Sequence, residues 1–149
     1  MNALDSDILS EIYYGKTYYV DRAAAIPKAN LAISIVAYEE AIRGRFDTIE
    51  SIDKGKSKVM MADAYIRLLW TIESLNQYRL LPYTDAAEQL TKDWRAQKIK
   101  VGRMDMRMAA SCLVAGATLI SRNRRDFDLI PGLRVEYWND ITSNESRNP

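Results

Sequence analysis

Five short apolar runs alternate with longer segments of helical periodicity along this chain. The apolar runs cover residues 2–4, 31–36, 79–83, 117–121 and 133–138. Short runs rich in Ile, Val, Leu and aromatic residues are typical of buried strands. The helical patterns cover residues 7–14, 38–46, 57–77, 85–97 and 104–115. This alternation predicts an α/β fold with a mostly parallel central sheet of about five strands, flanked by helices.

The length of 149 residues and an apolar content of 48% suit one domain with one core. We find no repeat or linker that would divide the chain. We predict a single domain over residues 1–140 and a polar, frayed tail over residues 141–149. The charged N-terminus and the lack of a long apolar run predict a cytoplasmic protein with no membrane segment.

Local signals agree with these boundaries. Thr84 is a suitable N-cap for the helix that starts at Asp85, and Gly116 can end the preceding helix in a left-handed conformation. Pro131 and Gly132 predict a turn before the last strand.

The longest helical pattern has a wide apolar stripe. Its members are Ala62, Ile66, Leu69, Ile72 and Leu75, broadened by Met60, Met61, Tyr65, Leu68 and Trp70. We expect this stripe to face the core, and the alternative is a contact with a second copy or a partner.

Four acidic residues follow strand-like runs where a strand should give way to a helix: Asp5, Glu40, Asp105 and Asp126. The carboxyl ends of parallel strands meet at one edge of a sheet, so residues there converge despite their distance in sequence. The pattern therefore predicts an acidic site at that edge.

Each acid also has an ordinary structural explanation. Asp7 is expected to cap the first helix, whereas a buried charge at Asp5 needs a partner or a metal. Periodicity does not separate Glu40 from Glu39, and Asp105 could serve only to stabilise a helix terminus.

The chain has no histidine and a single cysteine, Cys112. Disulfide frameworks, Cys/His zinc sites and Ser-His-Asp triads are therefore excluded. Clustered carboxylates repel one another unless a cation offsets their charge, and oxygen ligands alone favour Mg²⁺ or Mn²⁺. Cys112 is expected to be a buried thiol without chemistry.

Three sequence blocks resemble the PIN-domain ribonucleases, and among them the VapC toxins of VapBC toxin–antitoxin pairs. They are LDSDILSE, ISIVAYEEAIRG, and VGRMDMRMAASCLVAGATLISRNRRDF followed by LIPGLRVEYW. The resemblance assigns the second acid to Glu40 and the third to Asp105, and leaves the fourth between Asp126 and Asn123. The chain departs from the family pattern at Ser6, Ala37 and Thr84.

The resemblance implies a metal-dependent endoribonuclease that cleaves RNA, with transfer RNA as the commoner target. It also implies a homodimer and a VapB-like antitoxin. Asp5, Glu40, Asp105 and Asp126 are the predicted catalytic and metal-binding residues. The side chains predicted to support them or to contact substrate are Asp7, Ser34, Asn123, Arg122 and Arg125.

The run RNRRDF at residues 122–127 is predicted to form a tight turn after the fourth apolar run. Arginines in this turn and elsewhere near the predicted site have two interpretations. Arg103, Arg107 and Arg124, like Arg122 and Arg125, could hold phosphates or could pair with the carboxylates. The rival functions are a silent PIN-like module that binds RNA or protein without cutting, and a phosphatase or DNA nuclease on the same scaffold.

Overall fold

The computed structural model describes residues 1–139. The predicted tail at 141–149 lies outside the described residues. Within them, a five-stranded sheet has the order β3-β2-β1-β4-β5, and all pairs of neighbouring strands are parallel. The strands are β1 Asn2–Leu4, β2 Leu31–Ser34, β3 Arg79–Leu81, β4 Thr118–Ser121 and β5 Val135–Tyr137.

Seven α-helices connect these strands within residues 1–139. They are α1 Ser6–Tyr13, α2 Thr17–Ala24, α3 Ile35–Asp53, α4 Met61–Leu75, α5 Asp85–Ala96, α6 Arg103–Val114 and α7 Arg124–Phe127. A short 3-10 turn, Lys28–Asn30, precedes β2. The predicted α/β fold with a five-stranded sheet is confirmed. None of the helices in this part of the chain is long and apolar enough to cross a bilayer.

The core lies where α6 packs on the central strands. Met106, Met108, Ala109 and Ala110 of α6 are fully buried, together with residues of β1, β2 and β4. Small residues on α6 let the helix lie close to the sheet, which brings its amino end to the edge where β1 and β4 end. Cys112 is buried in this core as predicted, and burial raises the pKa of its thiol to about 12.

Three local boundary signals are confirmed. The Thr84 hydroxyl accepts a hydrogen bond from the Ala87 amide at 3.3 Å and caps α5. Gly116 and Gly132 have φ values of 65° and 76°, the left-handed conformation that a glycine adopts without strain.

The second predicted strand was too long. Residues 31–36 were expected to be extended, but β2 ends at Ser34 and α3 begins at Ile35. The Ser34 hydroxyl accepts a hydrogen bond from the Ala37 amide at 3.0 Å, and this N-cap starts the helix inside the apolar run.

Two helices were missing from the prediction. Helix α2 begins with Thr-Tyr-Tyr-Val, a composition typical of strands, and buries only Tyr19 and Ala23. The segment 122–127 was predicted to be a tight turn, but Asn123 caps the short helix α7 there.

The predicted core stripe of α4 is wrong for most of its members. Leu69 and Trp70 are 53% and 56% exposed, and Ile66 is also exposed. The helix instead packs against α3 through a stripe rotated from the apolar one, which buries Ala64, Thr71 and Leu75. The apolar face is therefore available for a partner, as the alternative interpretation required.

Candidate functional site

The acidic residues meet at the edge where β1 and β4 end. Strand β1 is central: the chain builds β2 and β3 on one side of it and then β4 and β5 on the other. Such a switch in strand order opens a crevice outside the carboxyl ends of the strands. Asp5 directly follows β1, and Ser121 ends β4 beside it.

Asp5 is a buried carboxylate, 4% exposed. One oxygen accepts the Ser6 amide at 2.7 Å and so caps α1, while the Ser121 hydroxyl donates to the other oxygen. Burial, together with the charges of Asp7 and Asp105, raises the pKa of Asp5 from 3.8 to about 7 against the effect of these hydrogen bonds. The expectation that Asp7 caps α1 was therefore wrong, because Asp5 fills that position.

Asp105 lies in the first turn of α6, which has Gly102 as its N-cap residue. Burial raises the pKa of Asp105 to about 6, with further contributions from the charges of Glu40, Asp126 and Asp7. Asp105 is thus not the capping residue of its helix. Its electrostatic neighbours are the other acids that the sequence placed at this edge.

Asn123 connects two of the acids. Its side-chain amide donates to Asp105 at 3.2 Å and to Asp126 at 3.0 Å, while its own amide oxygen accepts the Asp126 backbone N–H at 3.4 Å. Its backbone N–H donates to the Ser121 hydroxyl at 3.0 Å. One hydrogen-bonded chain therefore runs from Asp5 through Ser121 and Asn123 to Asp105 and Asp126. Both candidates for the fourth position lie at the site, in different roles.

The structure distinguishes Glu40 from Glu39 by their neighbours. Glu39 pairs with Arg43 one turn along α3, whereas Glu40 contributes to the raised pKa of Asp105. Glu40 is therefore the member of the pair that lies near the acidic site.

Asp7 and Arg122 form an ion pair at the margin of the site. The Arg122 guanidinium lies 3.4 Å from Asp7 and 3.0 Å from Glu11. Arg122 thus takes the ion-pairing role that was one of its two interpretations. Arg125 is 94% exposed, with its Nε 3.7 Å from Asp126.

Ser34 is buried, and the capping of α3 accounts for its hydroxyl. Ser34 ends β2, the neighbour of β1, and its capping hydrogen bond supports the start of α3, the helix that carries Glu40.

The donor chemistry of this cluster fits a hard divalent cation. All available donors are carboxylate, amide or hydroxyl oxygens, and burial together with mutual repulsion raises the pKa values of Asp5 and Asp105. Within residues 1–139, no three acidic or cysteine side chains lie close enough together to hold one ion.

Comparison with known proteins supports the architecture. No protein-family model matches the sequence, and no curated protein matches it. Among solved structures, VapBC2 from Rickettsia felis bound to a promoter DNA fragment aligns with a TM-score of 0.70 at 20% identity, over 93% of this chain and 98% of the other. DNA-bound VapBC from Salmonella typhimurium aligns with a TM-score of 0.72 at 20% identity, over 93% of this chain and 98% of the other.

A third example is VapBC-1 from nontypeable Haemophilus influenzae, with a TM-score of 0.69 at 18% identity over 93% of this chain and 98% of the other. Similarity at this level of identity establishes a common fold. The chain has the PIN-domain fold. The resemblance of the three sequence blocks is thereby confirmed at the level of architecture.

Sequence reasoning missed Ser121 as a member of this PIN-domain site. Its hydroxyl is fully buried and joins Asp5 to the Asn123 backbone. The signal was present, because a hydroxyl residue ends the apolar run ATLIS just before Asn123. A polar residue at the end of a buried strand needs partners, and here those partners are site residues.

Proposed function

We propose that this chain is a Mg²⁺- or Mn²⁺-dependent endoribonuclease, the toxin of a toxin–antitoxin pair, with transfer RNA as its substrate. The observation that carries the proposal is the convergence of Asp5, Glu40, Asp105 and Asp126 at the strand-order switch of a PIN fold. Burial and mutual repulsion raise the pKa values of Asp5 and Asp105, which is the electrostatic condition that a bound cation relieves.

The roles of the residues follow from their positions. Asp5 and Asp105 would hold the cation, with Glu40 and Asp126 completing its surroundings. When bound, the cation would stabilise the charge that develops on a phosphodiester and lower the pKa of water. Ser121 fixes the orientation of Asp5, and Asn123 fixes that of Asp105 and Asp126 through the hydrogen bonds described above.

Two rivals keep the same scaffold. A silent module would bind RNA or protein without cutting, and the complete set of four acids favours the nuclease over it. A phosphatase or DNA nuclease would use the same acids on another phosphate ester.

One experiment separates these functions. The purified protein is incubated with small RNA, single-stranded DNA, duplex DNA and an aromatic phosphate ester, each with Mg²⁺, with Mn²⁺ and with excess EDTA. We expect metal-dependent fragmentation of RNA alone. Hydrolysis of DNA or of the ester at a comparable rate would support the third function, and a folded protein that cuts nothing in Mg²⁺ or Mn²⁺ would support the silent module.

We further propose a VapB-like antitoxin as partner, since the similar structures are described as VapBC complexes. A cavity of about 460 Å³ between α1, α3 and α4 is a suitable groove for an apolar segment of such a partner. Leu9, Ile12, Tyr13, Leu75 and Tyr78 line it, and it reaches Ser6 and Glu40 beside the acids. A segment bound there would lie next to the site. The homodimer and the cytoplasmic location stay predictions.

A further inference from the structure

We infer that an unpaired RNA strand approaches the acidic site along a groove formed by α3, α5 and α6, and that Arg95, Arg103 and Arg107 hold its phosphates. This inference rests on the proposed ribonuclease function and adds the path and the form of the substrate. We call this path the arginine groove, defined by two adjoining cavities.

The arginines that follow β4 are already engaged. Arg122 pairs with Asp7 and Glu11 at 3.4 and 3.0 Å. Arg124 lies over the Tyr137 ring, 4.1 Å from its centroid, and 3.9 Å from Asp128. A phosphate on either guanidinium would have to compete with these contacts. Arg125 has only a distant contact with Asp126, and its side chain is almost fully solvated.

The arginines of the groove are in a different state. Within residues 1–139, neither Arg95, Arg103 nor Arg107 has a carboxylate within ion-pairing distance. The guanidinium of Arg107 has a weak contact, 3.8 Å to the sulfur of Met104. Arg103 and Arg107 lie two residues before and after Asp105 on α6, so phosphate contacts there would place a backbone next to the acids.

The cavities connect these arginines to the site. A cavity of about 370 Å³ is lined by Glu40, Arg103 and Arg107. It shares Glu39 and Arg107 with a second cavity of about 410 Å³, which continues to Arg95 on α5. The two cavities therefore adjoin at Glu39 and Arg107, and their combined lining extends from Glu40, a predicted site acid, to Arg95.

The charge of the groove favours an anion once its internal pairs are removed. Arg43 pairs with Glu39, and Lys92 pairs with Glu88. What remains is Arg95, Arg103 and Arg107 against the carboxylates of Glu40 and Asp47. Glu40 belongs to the acidic site, so a cation bound there would leave the groove clearly positive.

The lining also favours unpaired bases. Tyr38 and Tyr83 line the second cavity, and the Tyr83 hydroxyl is held by Thr91 at 3.1 Å. Aromatic faces beside a basic track are the usual binding surface for single strands, because every base can stack on a ring. A duplex keeps its bases stacked inside and gains nothing from these rings. The geometry thus favours a single strand or a loop.

Binding without cleavage tests the inference independently of catalysis. A short fluorescein-labelled RNA without secondary structure is titrated in EDTA at several NaCl concentrations, and its anisotropy gives Kd. The groove variant combines Arg95→Gln, Arg103→Gln and Arg107→Gln. The matched control combines Arg67→Gln and Arg79→Gln, two exposed arginines that line neither cavity of the groove. Thermal melts verify that both variants are folded.

We expect the slope of log Kd against log salt to fall by about 2 in the groove variant, from roughly 0.7 for each lost phosphate contact, and to stay unchanged in the control. Tyr83→Leu should weaken binding, whereas Tyr83→Phe, which keeps the ring, should not. A groove variant with the affinity and slope of the unaltered protein would overturn the inference and leave the groove to a protein partner. Unaltered protein that fails to bind the RNA would also overturn it. If the groove binds as expected but Mg²⁺ produces no cleavage, only the ribonuclease function fails.

Discussion

At the scale of single residues, Asp5 shows how burial and neighbouring charges raise the pKa of a carboxylate at this site. A carboxylate that caps a helix and accepts a serine hydroxyl would ordinarily have a low pKa. Its burial and the charges of Asp7 and Asp105 outweigh these hydrogen bonds and raise its pKa to about 7. The pKa of Asp105 is raised to about 6 for similar reasons. The folded chain therefore carries an electrostatic cost at this edge when both groups are ionised.

This cost predicts how metal-free stability depends on pH. Folded-state pKa values of about 7 and 6 exceed the ordinary value of 3.8, so the folded protein binds more protons than the unfolded chain between about pH 4 and 7. The contribution of these groups to the free energy of unfolding is therefore largest at low pH and is lost as pH rises through their folded-state pKa values. Urea unfolding in EDTA at pH 5, 6, 7 and 8 measures it.

The double variant Asp5→Asn/Asp105→Asn is the control for this pH dependence. It should remove most of the fall in stability between pH 5 and 8, because neither position then titrates. A wild-type stability that rises over this interval, or a fall that the double variant retains, would contradict the assignment. Addition of Mg²⁺ at pH 8 should restore stability to the wild type and have little effect on the double variant.

The residues of the site were predictable to different degrees. Asp5 follows from a strand end and its charge, because a parallel sheet brings such positions together. Asp105 was expected to follow a strand-like run, but it lies in the first turn of α6, after helix α5. Glu40 needed the family resemblance, since Glu39 has the same charge one position earlier. Ser121 and the bridging geometry of Asn123 depend on side-chain contacts between distant segments, which periodicity does not encode.

At the scale of elements, α7 sets the geometry of the fourth acid. Asn123 caps this helix and also donates to Asp105 and Asp126. The short helix was predicted as a turn because four residues are too few to show a period. The predicted boundary between β2 and α3 was also wrong. The Ser34 cap starts the helix inside an apolar run that is otherwise typical of a strand.

Asn123→Ala tests this role of α7. The variant loses the helix cap and both bridging hydrogen bonds, so we expect a loss of about 1 kcal/mol in the free energy of unfolding. Cleavage should fall by about 10–100-fold, the usual effect of removing a residue that orients metal ligands. Asn139→Ala, at an exposed asparagine at the end of the described chain, is the matched control and should change neither value. Full activity in Asn123→Ala would show that the bridge has no part in the site.

At the scale of the whole molecule, the apolar groove between α1, α3 and α4 is the proposed binding site of the antitoxin. The groove touches Ser6 and Glu40, but most of its lining is apolar. The sequence predicted an antitoxin partner only through the family resemblance. The sequence did not predict the groove, because the groove forms only where the separate helices α1, α3 and α4 pack together.

Tyr13→Glu tests the groove as the antitoxin site. A charge in the apolar lining should weaken the complex by at least about tenfold in Kd and should relieve inhibition of cleavage. Val114→Glu, at an exposed apolar position outside this lining, is the matched control. Calorimetry with a candidate antitoxin measures the affinity of each variant. Separately, light scattering of the free chain tests the predicted homodimer. Equal inhibition of Tyr13→Glu and wild type would place the partner elsewhere.

We propose that the carboxylates of Asp5, Glu40, Asp105 and Asp126 make this chain a metal-dependent ribonuclease. The most direct measurement compares cleavage of small RNA by wild type and by Asp105→Asn, purified identically and free of any partner, with Mg²⁺ and with EDTA. Loss of a cation ligand should reduce Mg²⁺-dependent cleavage by more than about 100-fold, the upper range for residues that only orient ligands. The melting temperature should stay the same or rise, because one of several repelling charges is removed. A lower melting temperature with retained cleavage would contradict the assignment of Asp105 as a metal-binding residue.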